Sequence, residues 1–158
     1  MSTNIELEKV VESIPLLRSH FMGVFNKDTL PEMKNDYCCI FNIENSVDGN
    51  GMPLPGTHWL ACGVRQSKSW CFDSFGLAPP DSLKTVLDNP ILYNTRQVQA
   101  KDSFACGWYS LGACLAVHSS PDRPNDSLRM YVDLFTEPIL KNNDRILTQY
   151  LATFLVRK

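Results

Sequence analysis

Hydrophobic and polar positions divide this chain into strand-like runs in its middle and helix-like runs at both ends. Apolar, aromatic and β-branched residues predict strands at about 21–25, 37–43, 59–64, 70–75 and 91–99. Apolar spacing and start signals predict helices at about 3–13, 80–87, 106–118, 127–135 and 143–156. No repeat, low-complexity tract or linker divides the sequence. The pattern therefore predicts one α+β domain over residues 1–158.

Local signals refine several of these elements. Residues 3–6, Thr-Asn-Ile-Glu, fit a capping box at the start of the first helix. Glycine and proline between residues 45 and 56 predict a loop. The polar residues 65–68 between two strands indicate a β-hairpin. Asp102 or Ser103 is placed to cap a helix that begins at about Cys106.

Composition and charge limit the class of protein. The chain has 158 residues, of which 44% are hydrophobic and 20% are charged, as in a soluble globular domain. No apolar run has the length of a membrane span, and the first residues lack a signal-peptide core, so we expect an intracellular protein that does not enter a membrane. The formal net charge of −2 predicts at most weak binding of nucleic acid.

The six cysteines do not indicate a metal site or a disulfide scaffold. None forms a Cys-x-x-Cys pair, and no Cys/His pairs have zinc spacing. Free cysteine packs as a small hydrophobe, so we expect five of the six to be buried thiols. Cys106 is the exception, because it stands where a helix is predicted to begin.

Three residues suggest nucleophilic catalysis when they are considered together. A cysteine nucleophile reacts as a thiolate, and a helix N-terminus lowers the pKa of a thiol placed there. A histidine such as His58 supplies a base, and a carboxylate such as that of Asp73 orients the imidazole. Each residue alone is more often structural, and His20 and His118 are interpreted as ordinary histidines, the latter at a helix C-terminus that favours a cation.

Hairpin geometry brings His58 and Asp73 together. A two-residue loop at 65–66 places them directly opposite each other, whereas a four-residue loop at 65–68 places Leu60 opposite Asp73 and His58 one diagonal step away. Both registers put the two residues on one face, together with Cys62 and Cys71.

The order and spacing of these residues resemble a known family. A His-Trp pair opens one strand, an acidic residue precedes Phe-Gly on the next, and a glutamine lies seven residues before a Cys-Gly that opens a helix. The residues are His58-Trp59, Asp73-Ser74-Phe75-Gly76, Gln99 and Cys106-Gly107. This set resembles the adenovirus maturation protease, adenain, and its relatives in other DNA viruses and virus-like mobile elements, which are related to SUMO-deconjugating proteases. The similarity covers about residues 5–118.

The resemblance implies a fold and roles for these residues. The implied fold is a papain-like core in permuted chain order, with a central mixed sheet, helices at both ends and the nucleophile at a helix N-terminus. Cys106 is the implied nucleophile, His58 the base and Asp73 the orienting acid. Gln99 and the Cys106 backbone N–H form the implied oxyanion hole. Trp59 beside the histidine and Gly107 beside the cysteine are the implied substrate contacts, with Trp59 covering a narrow channel.

The resemblance also implies a biological setting. It suggests an endopeptidase that cleaves capsid or core precursors at glycine-containing sites during particle maturation. Such an enzyme acts in the virion and in the nucleus or cytoplasm of the infected cell. We expect a monomer with no cofactor and no metal.

Three differences from the adenovirus enzyme modify these expectations. The adenovirus enzyme has glutamate where this chain has Asp73, as the SUMO-deconjugating proteases do. It is also activated by a peptide disulfide-linked to a cysteine between the acid and the glutamine, and this chain has no cysteine between Cys71 and Cys106. A covalently attached activating peptide is therefore not expected there. The net charge argues against strong activation by DNA, although that family member uses DNA.

Three alternatives share the same residues. A ubiquitin-like-protein deconjugating protease uses the same active site, an acyltransferase passes the acyl group to an amine or hydroxyl, and a binding protein retains the fold without catalysis. The intact set of four residues argues against the last.

Overall fold

The computed structural model describes residues 4–52 and 57–155, with the side chains of residues 4 and 5 excepted. It has an α+β fold with a five-stranded mixed sheet. The strands are β1 (Phe21–Asn26), β2 (Cys38–Asn42), β3 (Trp59–Arg65), β4 (Lys68–Phe72) and β5 (Ile91–Tyr93). The α-helices are α1 (Asn4–Glu12), α2 (Pro15–Arg18), α3 (Cys106–His118), α4 (Pro124–Asp133) and α5 (Asn143–Leu155). Two 3₁₀ helices span Asp81–Thr85 and Leu140–Asn142.

The sheet is mixed, as predicted, and its strands lie side by side in chain order. β3 is central and antiparallel to both β2 and β4, whereas β1 runs parallel to β2 and β5 runs parallel to β4. Helices precede and follow this set of strands along the chain, as predicted. His58 directly precedes β3 and Asp73 directly follows β4, so both lie at the same end of this hairpin.

The loop of the β3–β4 hairpin lies within residues 65–68 and is shorter than the four-residue loop predicted there. Arg65 pairs with Lys68, so the loop consists of Gln66 and Ser67 alone. Both loop residues have positive φ, 51° and 62°, as a two-residue turn matched to strand twist requires. The register is nevertheless the second of the two predicted registers, because Ala61 pairs with Phe72 and the next position places Leu60 opposite Asp73.

Two predicted strands end earlier in the structure than the sequence indicated. β4 ends at Phe72 rather than residue 75 because the Gly76 N–H donates to the Asp73 carbonyl at 2.8 Å and closes a turn. β5 ends at Tyr93 rather than residue 99.

Two helical predictions were also incomplete. Helix α4 begins at Pro124, not 127, since proline lacks the N–H that a first helical residue leaves unpaired. The short helix α2 was not predicted, although it too begins with a proline, Pro15.

Helix α3 lies against the centre of the sheet and organises the larger core. One face of the sheet packs on α3 and its neighbouring helices through a cluster that includes Trp70, Phe72 and Tyr131. The other face packs through a smaller cluster that includes Phe41, Leu60 and Leu83. Almost every residue of α3 is buried, which fixes the position of its first residue relative to β3.

The start of α3 corrects one prediction. The N-cap residue is Ala105, and it makes no side-chain cap hydrogen bond. The Ser103 hydroxyl instead accepts from the Ala105 N–H at 3.3 Å, one position before the helix. No side chain therefore occupies the position of an N-cap acceptor, which leaves N–H groups of the first turn available to another acceptor. The capping box predicted from Thr3 involves residues outside the described part of the chain.

All six cysteines are free and buried, as predicted for five of them. Cys62 pairs with Cys71 across β3 and β4, as the chosen register requires. Cys62 also pairs with Cys39 on β2, where the two sulfurs lie 3.6 Å apart.

None of the helices in residues 4–52 and 57–155 has the length and apolar character needed to cross a membrane.

Candidate active site

The ends of two central strands place a histidine beside a carboxylate. His58 immediately precedes β3, and its carbonyl accepts from the Ile43 N–H at 3.1 Å, which anchors its backbone next to β2. Asp73 immediately follows β4. The His58 Nε2 and Asp73 Oδ1 atoms are 2.7 Å apart. The predicted pairing of these residues is therefore present in the fold, on the diagonal register.

The surroundings fix both partners of this pair. The same Asp73 oxygen accepts from the Phe75 N–H at 2.8 Å. The Phe75 ring stacks on the imidazole with centroids 4.3 Å apart and planes 13° apart. Because a carboxylate only accepts, the His58 Nε2 atom carries a hydrogen, and Nδ1 is left for another partner. From the sequence, Phe75 had no predicted role beyond its place in the motif, whereas in the structure its ring stacks on the histidine.

Cys106 is the first residue of α3 and lies beside the His58 ring. The exposed fractions are 7% for His58, 4% for Asp73 and 4% for Cys106, so the group is almost removed from solvent. His58 Nδ1 is buried and has no hydrogen-bond partner among the described residues. The thiol and the ring are close enough for each to shift the pKa of the other.

Opposing effects set the pKa values of this pair. Burial alone raises the pKa of the Cys106 thiol, but the His58 ring and the backbone N–H groups of Trp59 and Gly107 outweigh it and lower the pKa from its ordinary value. Burial likewise lowers the pKa of His58, but Asp73 and Cys106 outweigh it and raise the pKa to about 9. Both shifts favour the same state, a thiolate beside an imidazolium.

Gln99 is fully buried near this pair and its carboxamide orientation is defined. Its Nε2 donates to the Ser103 carbonyl at 2.9 Å, and its Oε1 accepts from the Ser74 hydroxyl. A carbonyl only accepts, so the nitrogen must face Ser103 and the oxygen must face Ser74. One of the two amide hydrogens is used in this way.

The sequence interpretation missed two serines that connect the parts of the site. Besides its hydroxyl contact with Gln99, Ser74 accepts at its carbonyl from the Val98 and Gln99 N–H groups at 2.9 and 3.1 Å. The Ser110 hydroxyl lies 3.1 Å from the Trp59 carbonyl and 2.9 Å from the Cys106 carbonyl, so it links β3 to the first turn of α3. The adjacency of Ser74 to Asp73 and the one-turn spacing of Ser110 from Cys106 were the available signals.

Trp59 and Gly107, the predicted substrate contacts, both lie next to the nucleophile. Trp59 is 7% exposed and packs mainly in the larger core, so only a small part of its indole faces outward. Its indole N–H is buried and has no partner within the described residues. Gly107 is buried in the first turn of α3. In the part of the chain that the structure describes, no cluster of three histidines, cysteines or carboxylates could hold a metal ion.

Comparisons with known proteins add little to this geometry. No protein-family model matches the chain, and no curated protein matches it. Among solved structures, the chain is similar to the central domain of the uncharacterized Lpg1148 protein from Legionella pneumophila, with 14% identity and a TM-score of 0.41. The alignment covers 87% of this chain and 88% of that one. A likeness of this size carries no conclusion about function.

Proposed function

We propose that this protein is a cysteine endopeptidase with a papain-like, permuted core similar to that of adenain. One observation carries the proposal. The His58–Asp73 hydrogen bond of 2.7 Å stands beside Cys106, and Cys106 begins a helix that has no side-chain cap. A nucleophile, a base and a group that orients the base are thus adjacent, which is the arrangement that acyl transfer by a thiol requires.

The proposed reaction begins with the thiolate of Cys106. Its sulfur attacks the carbonyl carbon of the scissile peptide bond, and the carbonyl electron pair moves to the oxygen. The His58 imidazolium then donates its Nδ1 proton to the departing amine as the C–N bond breaks, which leaves a thioester on Cys106. His58 then takes a proton from a water molecule whose oxygen attacks the thioester carbon. The C–S bond breaks, the acid leaves, and the thiolate of Cys106 stands again beside the His58 imidazolium.

The negative charge that develops on the carbonyl oxygen during attack is stabilised by hydrogen-bond donors that are already in place. The backbone N–H of Cys106 is one proposed donor, and the second amide hydrogen of Gln99 is the other. Ser74 and Ser103 hold the Gln99 carboxamide, so orienting it for the reaction requires no further ordering. This fixed orientation supports a role for Gln99 in the transition state rather than in initial binding.

The proposed substrates are protein precursors, cut at sites with glycine or another small residue before the scissile bond. The resemblance suggests capsid or core precursors. The position of Trp59 beside His58, with little of the indole exposed, is compatible with a narrow channel that accepts backbone without a large side chain.

We propose that activation does not depend strongly on DNA. In the C-terminal basic stretch, Lys141 lies 3.5 Å from Asp102 and Arg145 lies 3.7 Å from Glu137, so both cations have carboxylate neighbours. Arg157 and Lys158 lie outside the described residues. DNA binding that disappears by about 0.15 M salt, where screening shortens to roughly 8 Å, is the expected result.

A peptide panel tests the proposed function. Fluorogenic peptides with glycine, alanine, leucine or phenylalanine before the cut are incubated with the wild-type protein, and mass spectrometry identifies the products. We expect cleavage after glycine or alanine and little after leucine or phenylalanine. Cys106→Ala should abolish cleavage, whereas Cys62→Ala, at another buried thiol, should retain it.

Different outcomes overturn different parts of the proposal. Equal cleavage of all four peptides rules out the narrow channel but keeps the nucleophile. Acyl transfer to an added amine with little hydrolysis identifies an acyltransferase instead. Retained cleavage in Cys106→Ala contradicts the proposal as a whole.

A further inference from the structure

Asn94 holds the backbone of Asp73 from a separate segment of the chain. It follows β5 directly and is 8% exposed. Its Oδ1 accepts from the Asp73 N–H at 3.1 Å, and its Nδ2 donates to the Asp73 carbonyl at 2.7 Å. The backbone N–H only donates and the carbonyl only accepts, so these two contacts define which carboxamide atom is nitrogen.

This side chain continues the sheet where the backbone ladder ends. The last paired residues of β4 and β5 are Cys71 and Tyr93. Beyond them, the Asn94 carboxamide provides the donor and acceptor that a further strand residue would have offered to Asp73. The Asp73 peptide is therefore held like a strand residue, although β4 has ended and the chain is turning.

Holding this backbone determines where the carboxylate points. Asp73 has a short side chain with two rotatable bonds, so a small rotation of its backbone moves Oδ1 away from His58. The local Phe75 N–H contact moves together with Asp73 and cannot by itself fix the carboxylate relative to β3. Asn94, which is 21 residues away in sequence, provides an external anchor.

We propose that Asn94 is a positioning residue, which holds the Asp73 backbone so that the carboxylate meets the His58 ring in the geometry needed for catalysis. The inference rests on the proposed cysteine protease activity and adds to it a residue that the motif does not contain. Asn94 touches neither His58 nor Cys106 through any hydrogen bond in the structure, so its effect on them passes through Asp73.

A purely structural role is the main competing explanation, and the chain offers a matched control. Asn143, which is fully buried, likewise joins two backbone groups, accepting from the Glu137 N–H at 3.1 Å and donating to the Val98 carbonyl at 2.8 Å. It makes no hydrogen bond to His58, Asp73 or Cys106. Loss of either carboxamide should lower the melting temperature, but only loss of Asn94 should disturb the histidine.

The test is a histidine NMR titration of the wild type, Asn94→Ala and Asn143→Ala, with the ring signals assigned by His58→Ala. The groups that raise the pKa of His58 are Asp73 and Cys106, so Asp73→Ala provides the reference for complete loss of the carboxylate. We expect His58 to titrate near 9 in the wild type and in Asn143→Ala. In Asn94→Ala its pKa should fall part of the way to the Asp73→Ala value. Asn94→Gln, which displaces the carboxamide by one methylene, should show the same direction if the alanine variant does not fold.

The outcomes separate this inference from the proposed function. An unchanged His58 titration in a folded Asn94 variant, with the wild type near 9, overturns the positioning role and leaves the protease proposal intact. A wild-type His58 that titrates near its ordinary value of about 6.5 contradicts the proposed ion pair instead. Equal shifts in Asn94→Ala and Asn143→Ala show a general loosening of the fold, which also overturns the inference.

Discussion

Two buried histidines, one near each end of helix α3, have pKa values shifted in opposite directions. At the N-terminal end, His58 faces Asp73 and Cys106, and its pKa is raised to about 9. At the C-terminal end, His118 is 2% exposed and accepts at Nε2 from the Trp70 indole N–H at 3.1 Å. Burial, with Arg65 and His20 nearby, lowers the pKa of His118 to about 3. Burial favours neutral rings at both ends. Asp36 raises the pKa of His118 without outweighing burial, whereas Asp73 and Cys106 together outweigh burial at His58.

The same contrast separates the cysteines. Burial and neighbouring thiols or carboxylates raise the pKa of Cys38 and Cys71 well above the ordinary value, whereas the pKa of Cys106 is lowered. Residue type and burial are shared by all of them. What distinguishes Cys106 is an adjacent imidazole and backbone N–H donors, which is why the proposed chemistry belongs to that end of the helix.

The largest expected effect comes from removing the base. His58→Ala should reduce the rate of peptide cleavage by several orders of magnitude, since the thiolate loses its partner and the leaving amine loses its proton donor. Asp73→Ala should cost less, because Asp73 orients the ring without transferring a proton. The double variant should be little slower than His58→Ala. Kinetics of all three variants decide the point, and additive losses would show that the two residues do not act together.

His118→Asn is the matched control for this experiment. It alters the buried histidine at the opposite end of α3 from His58, so a folded variant should keep its cleavage rate. A large loss of rate with unchanged folding would break the contrast between the two ends.

A smaller effect is expected from the oxyanion donor and the serine that holds it. Gln99→Ala should lower kcat by roughly 10²–10³-fold with little change in KM, because the donor acts mainly in the transition state. Ser74→Ala should lower kcat in the same direction by a smaller factor, since it removes only the hydroxyl that orients the carboxamide. Ser127→Ala, at a buried hydroxyl on α4, is the control. A change in KM alone would make Gln99 a substrate-binding residue.

The extent of prediction from sequence follows the range of the interactions. Some signals depend only on neighbours in sequence: hydrophobic residues that repeat every two or 3.6 positions, local turns, and the Cys-Gly at a helix start. The sheet, helix α3 and the His58–Asp73 pair were predicted from these signals. Asn94, Ser74 and the stacking of Phe75 act across the turn after β4 and between separate segments. Their roles depend on where β4 and β5 end, and the hydrophobic pattern does not contain the turn that the Gly76 N–H closes on the Asp73 carbonyl after β4.

His118 shows the same limit in the electrostatics. Its position at a helix C-terminus predicted a favoured cation, but the structure contradicts this. The dipole effect at an exposed helix end is worth only about 0.3–1 kcal/mol. Desolvation in the core and the Trp70 donor outweigh it, and neither is visible before the chain is folded.

The smallest expected effects concern stability against pH, and they also separate the two ends. The folded pKa of His118 is about 3 and the unfolded value is about 6.5, so the unfolded state binds more protons in this window. The contribution of His118 is present above 6.5 and is lost as pH falls toward 3. That of His58 is present below 6.5 and is lost as pH rises through about 9. Urea unfolding at several pH values should show a weaker acid dependence in His118→Asn and a weaker alkaline dependence in His58→Ala. Identical pH profiles for wild type and variants would contradict both assignments.

The central claim is that Cys106 alone among the six cysteines is an activated thiolate, and its alkylation rate tests this most directly. The folded protein is treated with iodoacetamide across a range of pH, and peptide mass spectrometry gives the rate at each cysteine. We expect Cys106 to react much faster than the other five at neutral pH. Its alkylation rate should fall, as the thiolate is protonated, only at a pH below the ordinary thiol pKa of about 8.5. In His58→Ala this fall should occur at a higher pH. Comparable rates at all six cysteines, or a pH dependence of Cys106 alkylation that His58→Ala leaves unchanged, would contradict the account.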